Sequence, residues 1–242
     1  MKLDILAFGV HPDDVELSCA GVLLVEKANG KKTGIIDLTQ GELGTRGTAA
    51  TRRAEAAAAA TILGLDVREN LEMADGFFSN DEQHQRKIIT ALRTYRPEII
   101  LCNAPTDRHP DHGRSAQLVS DAAFLSGLKK IETQKDGQLQ EAWRPKYVFN
   151  YIQDKFLNPD FVIDISTVFE QKVEAIKAYG TQFHSENSNE PQTYISTPDF
   201  LDSVIYRHKW YGKMIGVKYA EGFIKQKMIG FNNFDAFIKQ NT

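Results

Sequence analysis

The feature that most constrains this chain is residues 3–10, LDILAFGV, a nearly continuous apolar run that gives way abruptly to polar residues at His11. Such a run reads as a parallel strand covered on both faces. The pattern then alternates. Helical spacing over residues 17–29 ends at Gly30, and residues 32–39 read as a second strand. An alanine-rich helix over residues 51–63 stops at Gly64, where a glycine suits the C-terminal cap. Residues 81–95 form an amphipathic helix closed by Arg96-Pro97, residues 98–102 (EIILC) a third buried strand, and a helix follows from about 114 to 128. Further on, residues 147–152 and 161–165 read as strands, 168–179 and 198–214 as helices, and the polar stretch 182–197 as a mobile loop over a site. This alternation predicts an α/β fold, a doubly wound and mostly parallel sheet with right-handed crossovers. Without an internal repeat or a linker, residues 1–242 read as a single domain.

Composition removes several function classes. The formal charge is −3 with 25% charged residues and a pI near 6.1, and no Lys/Arg block occurs, so no nucleic-acid partner is expected. Apolar runs stop short of the ~18 residues that a membrane span needs. Mean hydropathy of −0.37 agrees with that. The two cysteines, Cys19 and Cys102, lie far apart outside any CxxC spacing, which points to a reduced, cytoplasmic setting. The N-terminal apolar stretch is short for a signal-peptide core and contains Asp4.

Ligand sites in open α/β sheets lie beyond the carboxyl ends of the strands. After the first strand comes His11-Pro12-Asp13-Asp14. After the EIILC strand and a short loop comes Arg108-His109-Pro110-Asp111-His112-Gly113. Each alone reads blandly as a polar turn, with an Asp capping the next helix and Pro fixing φ. Together they place the two densest sets of potential metal ligands at one edge of the sheet. Residues three apart in a helix-opening turn return to one side, so His11 and Asp14 can face a point that His112 approaches from the neighbouring loop. Two imidazoles and a carboxylate, with a position left for water, suit a catalytic zinc ion; Fe2+ and Co2+ tolerate the same set. Asp13 is then free to take the water's proton. His109 reaches the far side of the cavity as oxyanion stabiliser or acid, with Asp111 orienting it.

These motifs on this frame resemble the zinc-dependent LmbE/PIG-L family of N-acetylglucosaminide deacetylases. Further stretches, from Gly41 through Thr48, Arg52 with Glu55, Asn70-Leu71, Asp75-Gly76-Phe77-Phe78, Tyr206-Arg207, Gly212, Gly216 and Tyr219-Ala220-Glu221-Gly222-Phe223, look like its bacillithiol-biosynthesis branch. That branch acts on N-acetylglucosaminyl malate. The resemblance implies a Rossmann-like three-layer sandwich. It also implies zinc on His11, Asp14 and His112, Asp13 as general base, His109 paired with Asp111, Arg52 in the sugar pocket, and a homo-oligomer, commonly a hexamer.

Other residues carry weaker signals. Arg52 alone reads as a solvated helix residue pairing with Glu55. Arg46 and Arg108 are candidates for a substrate carboxylate, and Glu42 for the sugar or for solvent. His184 and His208 read as surface residues, Cys102 as an apolar filler, and the partly apolar residues 223–237 as a segment that packs against a neighbour. A metal-dependent phosphoesterase is the competing enzyme class, but a two-metal site needs a second ligand set. A sugar-binding module with a vestigial site would need neither Asp13 nor His109.

Overall fold

In a computed structural model the described residues are 1–183 and 189–235. The first strand, β1 (Ile5–Gly9), feeds α1 (Asp14–Ser18) and α2 (Ala20–Ala28), and then β2 (Thr33–Thr39), α3 (Ala49–Leu63), β3 (Val67–Met73), α4 (Glu82–Tyr95) and β4 (Ile99–Cys102). Next come α5 (Pro110–Leu125), the short hairpin β5 (Gln134–Lys135) and β6 (Gln138–Leu139), β7 (Tyr147–Tyr151), β8 (Phe161–Asp164), α6 (Phe169–Lys177), α7 (Pro198–Ile215) and β9 (Ala220–Lys225). Seven strands form one sheet in the order β3-β2-β1-β4-β7-β9-β8. The pairings among β1, β2, β3, β4 and β7 are parallel, and β9 runs antiparallel to β7 and β8.

The strand period of two divides β1 between two cores. Leu6, Phe8 and Val10 pack on one face with Ile88, Ile89 and Leu92 of α4 and Leu118, Val119 and Ala122 of α5. Ile5 and Ala7 pack on the other with Val22, Leu23 and Leu24 of α2 and Phe169 and Ala175 of α6. Helices thus cover both faces, which is why the strand is apolar throughout. The chain winds outward from β1 to β3 and returns to β4 on the opposite side, leaving a topological switch point between β1 and β4.

Departures from the sequence reading have local causes. The strand β3 carries Arg68, Glu69 and Glu72 at a sheet edge, where charge is tolerated and obscures the apolar signal. The helix expected over 17–29 starts earlier and breaks at Cys19, φ −137°. The first turn of α5 lies four residues ahead of the expected start, with Pro110 in its first turn. Residues 220–225, partly assigned to a neighbour-packing segment, are instead a strand of the sheet. His208 is fully buried rather than on the surface. His184, part of the 182–197 loop, and residues 236–237 lie outside the described residues. Among the described residues no helix is long and apolar enough to cross a membrane.

Candidate active site

The switch point gathers side chains from the ends of four strands. Past β1, the Asp14 carboxylate folds back to accept the Val10 and His11 backbone N–H groups at 2.9 and 3.0 Å. Asn103, just past β4, donates to it at 3.0 Å, and Gln153, past β7, at 2.6 Å. Burial alone would push the Asp14 pKa up. The charges of His112 and His11 outweigh it and hold the carboxyl well below its usual range.

Both predicted imidazoles face this carboxylate. His11 Nδ1 lies 3.7 Å from Asp14 Oδ2, and His112 Nε2 lies 3.3 Å from Asp14 Oδ1. Each ring is held from behind by a carboxylate that sequence reasoning did not single out for the task. Asp75, past β3, meets His11 Nε2 at 3.0 Å, and Asp107 meets His112 Nδ1 at 2.6 Å. Burial works against protonation of both rings, but the Asp14 charge with the hydrogen-bonded Asp75 takes His11 to about 10, and the Asp14 charge with the hydrogen-bonded Asp107 takes His112 to about 9. A cation bound here would displace those protons.

Whether a metal suits these residues is tested by one atom. His112 Nε2 is buried and has no hydrogen-bond partner, while its Nδ1 is fixed by Asp107. A buried polar nitrogen beside a carboxylate, with its opposite nitrogen held by a second carboxylate, is the arrangement of a metal-ligating histidine. The donor set of His11, Asp14 and His112 fits zinc or ferrous iron. His109 adds a third imidazole, with ligand nitrogens of the three rings all within 4.8 Å of one another. Asp75 and Asp111 approach His11 just as closely, and their carboxylates also accept the backbone N–H groups of Leu43 and Gly76.

Asp13 sits at the N-cap position of α1 with φ 123°, and its side chain makes no capping bond. A non-glycine residue in that region is strained, and such strain concentrates at functional sites. The carboxylate turns instead to Arg52, 3.0 Å away. Burial lifts Asp13 to about 7, against the opposing Arg52 charge.

Three expectations require correction. Asp111 does not pair with the His109 imidazole. Its buried carboxylate accepts from Gly76 N at 2.9 Å and Arg114 Nη1 at 2.6 Å, pinning the Asp75 loop. His109 Nδ1 instead accepts the Asp111 backbone N–H at 3.3 Å, which leaves Nε2 of the neutral ring carrying the proton. Burial and the charges of His11 and His112 lower the His109 pKa, so it stays neutral. Glu42 lies outside the cavity lining, with its oxygens accepting the backbone N–H groups of Asp75 and Gln40. The reading of Arg52 as Glu55's partner also fails, because Glu55 accepts from Thr181 N and Oγ1 while Arg52 reaches Asp13, the Pro12 carbonyl and Gln182.

The cavity over these groups holds about 310 Å³, enough for a small glycoside. Arg46, Arg52 and Arg108 all line it. Arg108 donates to Asp154 at 3.0 Å and stacks on Tyr194, 4.2 Å to the ring centre.

Known proteins resemble this chain in sequence and in fold. The PIG-L family model, described as GlcNAc-PI de-N-acetylase, matches residues 6–123, a span containing both His/Asp motifs. Diacetylchitobiose deacetylase of Thermococcus kodakarensis is 27% identical over 228 residues, covering 90% of this chain and 81% of that protein. The 4-oxalmesaconate hydratase of Pseudomonas putida is 26% identical over 194 residues, 74% of each chain. The crystal structure of the conserved protein TT1542 from Thermus thermophilus superposes with a TM-score of 0.84 at 35% identity, covering 95% of this chain and 97% of that one.

Proposed function

We propose that the chain is a member of the PIG-L family, whose model matches residues 6–123, and that it is a metal-dependent amide hydrolase that removes acetate from the 2-acetamido group of a small glucosaminide. N-acetylglucosaminyl malate, the substrate of the bacillithiol branch, is the substrate we assign. The observation that carries the reading is the convergence of His11, Asp14 and the partnerless Nε2 of His112 beside Asp13, a buried carboxylate pushed up to about 7 by its burial. We extend it to a cytoplasmic homo-oligomer of one domain, supported by the family resemblance and by the single sheet that joins both halves of the chain.

His11, Asp14 and His112 would hold the metal. When bound, zinc or ferrous iron supplies Lewis-acid polarisation of the amide carbonyl and lowers the pKa of water to about 7. Asp13, oriented by Arg52, takes a proton as water adds to the acetyl carbonyl. The Nε2–H of neutral His109 donates to the oxygen that becomes negative. The C–N bond then breaks, and the proton held by Asp13 leaves with the sugar amine.

The test is release of amine from N-acetylglucosaminyl malate, with and without a chelator, beside N-acetylglucosamine. Chelator-sensitive release from the conjugate, with little from the free sugar, is expected. No release from either by zinc-loaded protein would overturn the assigned substrate. Since one relative is a hydratase, water addition to an unsaturated acid without amine release would overturn the amide hydrolase itself.

A further inference from the structure

Four arginines line the cavity, and three of them are matched. Arg52 is paired with Asp13, Arg46 Nε with Glu190 at 3.2 Å, and Arg108 with Asp154. Arg207 is different. Among the described residues its guanidinium makes no hydrogen bond and no ion pair, although it faces the same space.

Its position in α7 explains why it faces inward. Phe200, Val204 and Arg207 recur at helical spacing and all line the cavity, while Tyr206 and Trp210 look outward and are exposed. A cation therefore stands in an otherwise apolar stripe on the wall of a substrate cavity. Burial pulls its pKa down, and the fields of Tyr211, Asp154, Asp107 and Glu221 act the other way. None of these supplies a contact, and Asp154 already serves Arg108 and Tyr194. A half-buried fork with five donors and no acceptor is completed by a planar anion from the ligand.

We infer that Arg207 is the specificity-determining residue of the cavity, binding a carboxylate carried on the aglycone of the glucosaminide; the inference rests on the deacetylase reading above. Arg46, Arg52 and Arg108 then shape the cavity through their own protein partners. A glycoside whose aglycone lacks an anion would leave the Arg207 fork unsatisfied.

The experiment compares kcat/KM for N-acetylglucosaminyl malate with that for methyl N-acetylglucosaminide in the zinc-loaded wild type, Arg207→Met and Arg207→Lys. The ratio of the two should fall roughly 10–100-fold in Arg207→Met, the equivalent of one charge-assisted hydrogen bond, and recover in part in Arg207→Lys. Because both substrates are read on the same variant, a general folding defect cancels in the ratio. A ratio within twofold of wild type overturns the assignment. If neither glycoside is turned over by wild type, titration of malate alone into the zinc-loaded proteins decides. Binding at least tenfold weaker in Arg207→Met keeps Arg207 as the carboxylate site, whereas equal affinity overturns it. Titration with inorganic phosphate separates the anion classes: an Arg207-dependent loss for phosphate and none for malate also overturns it.

Discussion

Changing Asp107 to Asn tests whether His112 is a ligand while leaving every proposed ligand in place. The Asp107 side chain is fully buried and divides its oxygens between two donors, His112 Nδ1 and Lys155 N, each at 2.6 Å. Burial alone would raise its pKa, but those hydrogen bonds hold it below the usual carboxylate value, so it is an acceptor on both sides. An asparagine has the same shape but only one acceptor oxygen. If that oxygen keeps Lys155 N, the amide NH2 faces His112 Nδ1 and drives the ring proton to Nε2, the atom that must coordinate. If the amide flips, its NH2 abuts the Lys155 N–H. One 2.6 Å bond is lost either way. Removing such a positioning partner weakens metal binding by about 10–100-fold, or roughly 1.4–2.7 kcal/mol. Competition for zinc against a chromophoric chelator at pH 7 reads this directly, with a thermal melt in excess chelator to show that the stripped variant still unfolds cooperatively. A zinc affinity within twofold of wild type would refute the reasoning, and His112 Nε2 would then lose its place as a ligand.

Three further changes probe separate parts of the molecule. Asp13→Asn should lower turnover by about 10²–10⁴-fold with zinc content retained, as for loss of a general base, and a loss below tenfold in a zinc-replete variant would remove Asp13 from that role. His208 donates from Nδ1 to the Val204 carbonyl at 2.6 Å and faces Lys172 Nζ at 2.8 Å, so burial and the Lys172 and Arg207 charges hold it neutral, well below the ordinary imidazole pKa. The unfolded chain takes up that proton near pH 6.5, so this contribution is present above 6.5 and is lost as pH falls, by about 1.4 kcal/mol per unit. Asp13, raised in the fold, has the opposite slope in this range, so urea unfolding at pH 7.5 and 5.5 should compare wild type with His208→Gln; equal pH dependence in the two chains would contradict the argument. A Cβ at Gly212 would lie 2.7–2.8 Å from backbone atoms of Val217, Lys218 and Tyr219, so Gly212→Ala should cost about 1–3 kcal/mol and lower the melting temperature by several degrees, whereas an unchanged melt would show that the α7–β9 turn yields freely.

What could be read in the sequence is what is local in it. The apolar β1 run and the two His/Asp motifs announce both a buried parallel strand and a strand-end site, because a strand's covering and its exit turn are written in consecutive residues. The supports of that site are written elsewhere. Asp75 follows an edge strand whose charges hid it, and Asn103 and Gln153 are single amides with no periodic signal; only their places just beyond β4 and β7 could have marked them. Asp107 stood five residues before His112, in a loop whose course the spacing does not dictate. The Asp111 error has a geometric cause. Residues two apart in a helical turn point to opposite sides, so the carboxylate beside His109 in sequence turns away from it, and the backbone N–H makes the contact instead.

The least legible part is the irregular second half, and it is structurally bound to the first motif. Glu221 of β9 accepts the Gly21 and Val22 backbone N–H groups at 2.9 and 2.7 Å at the start of α2, and it receives Lys172 of α6 at 2.5 Å. Lys172 in turn meets the carbonyl of Leu17 at 3.3 Å, close behind Asp14 in α1. A carboxylate at a helix N-terminus is favoured by the unpaired N–H groups there, and burying it demands a cation alongside. The break at Cys19 supplies that N-terminus: had α1 and α2 been one straight helix, those N–H groups would be spent internally and Glu221 would have no anchor. The position of Asp13 and Asp14 beneath the cavity therefore depends on a strand about two hundred residues away, through a buried charge pair that no spacing rule connects.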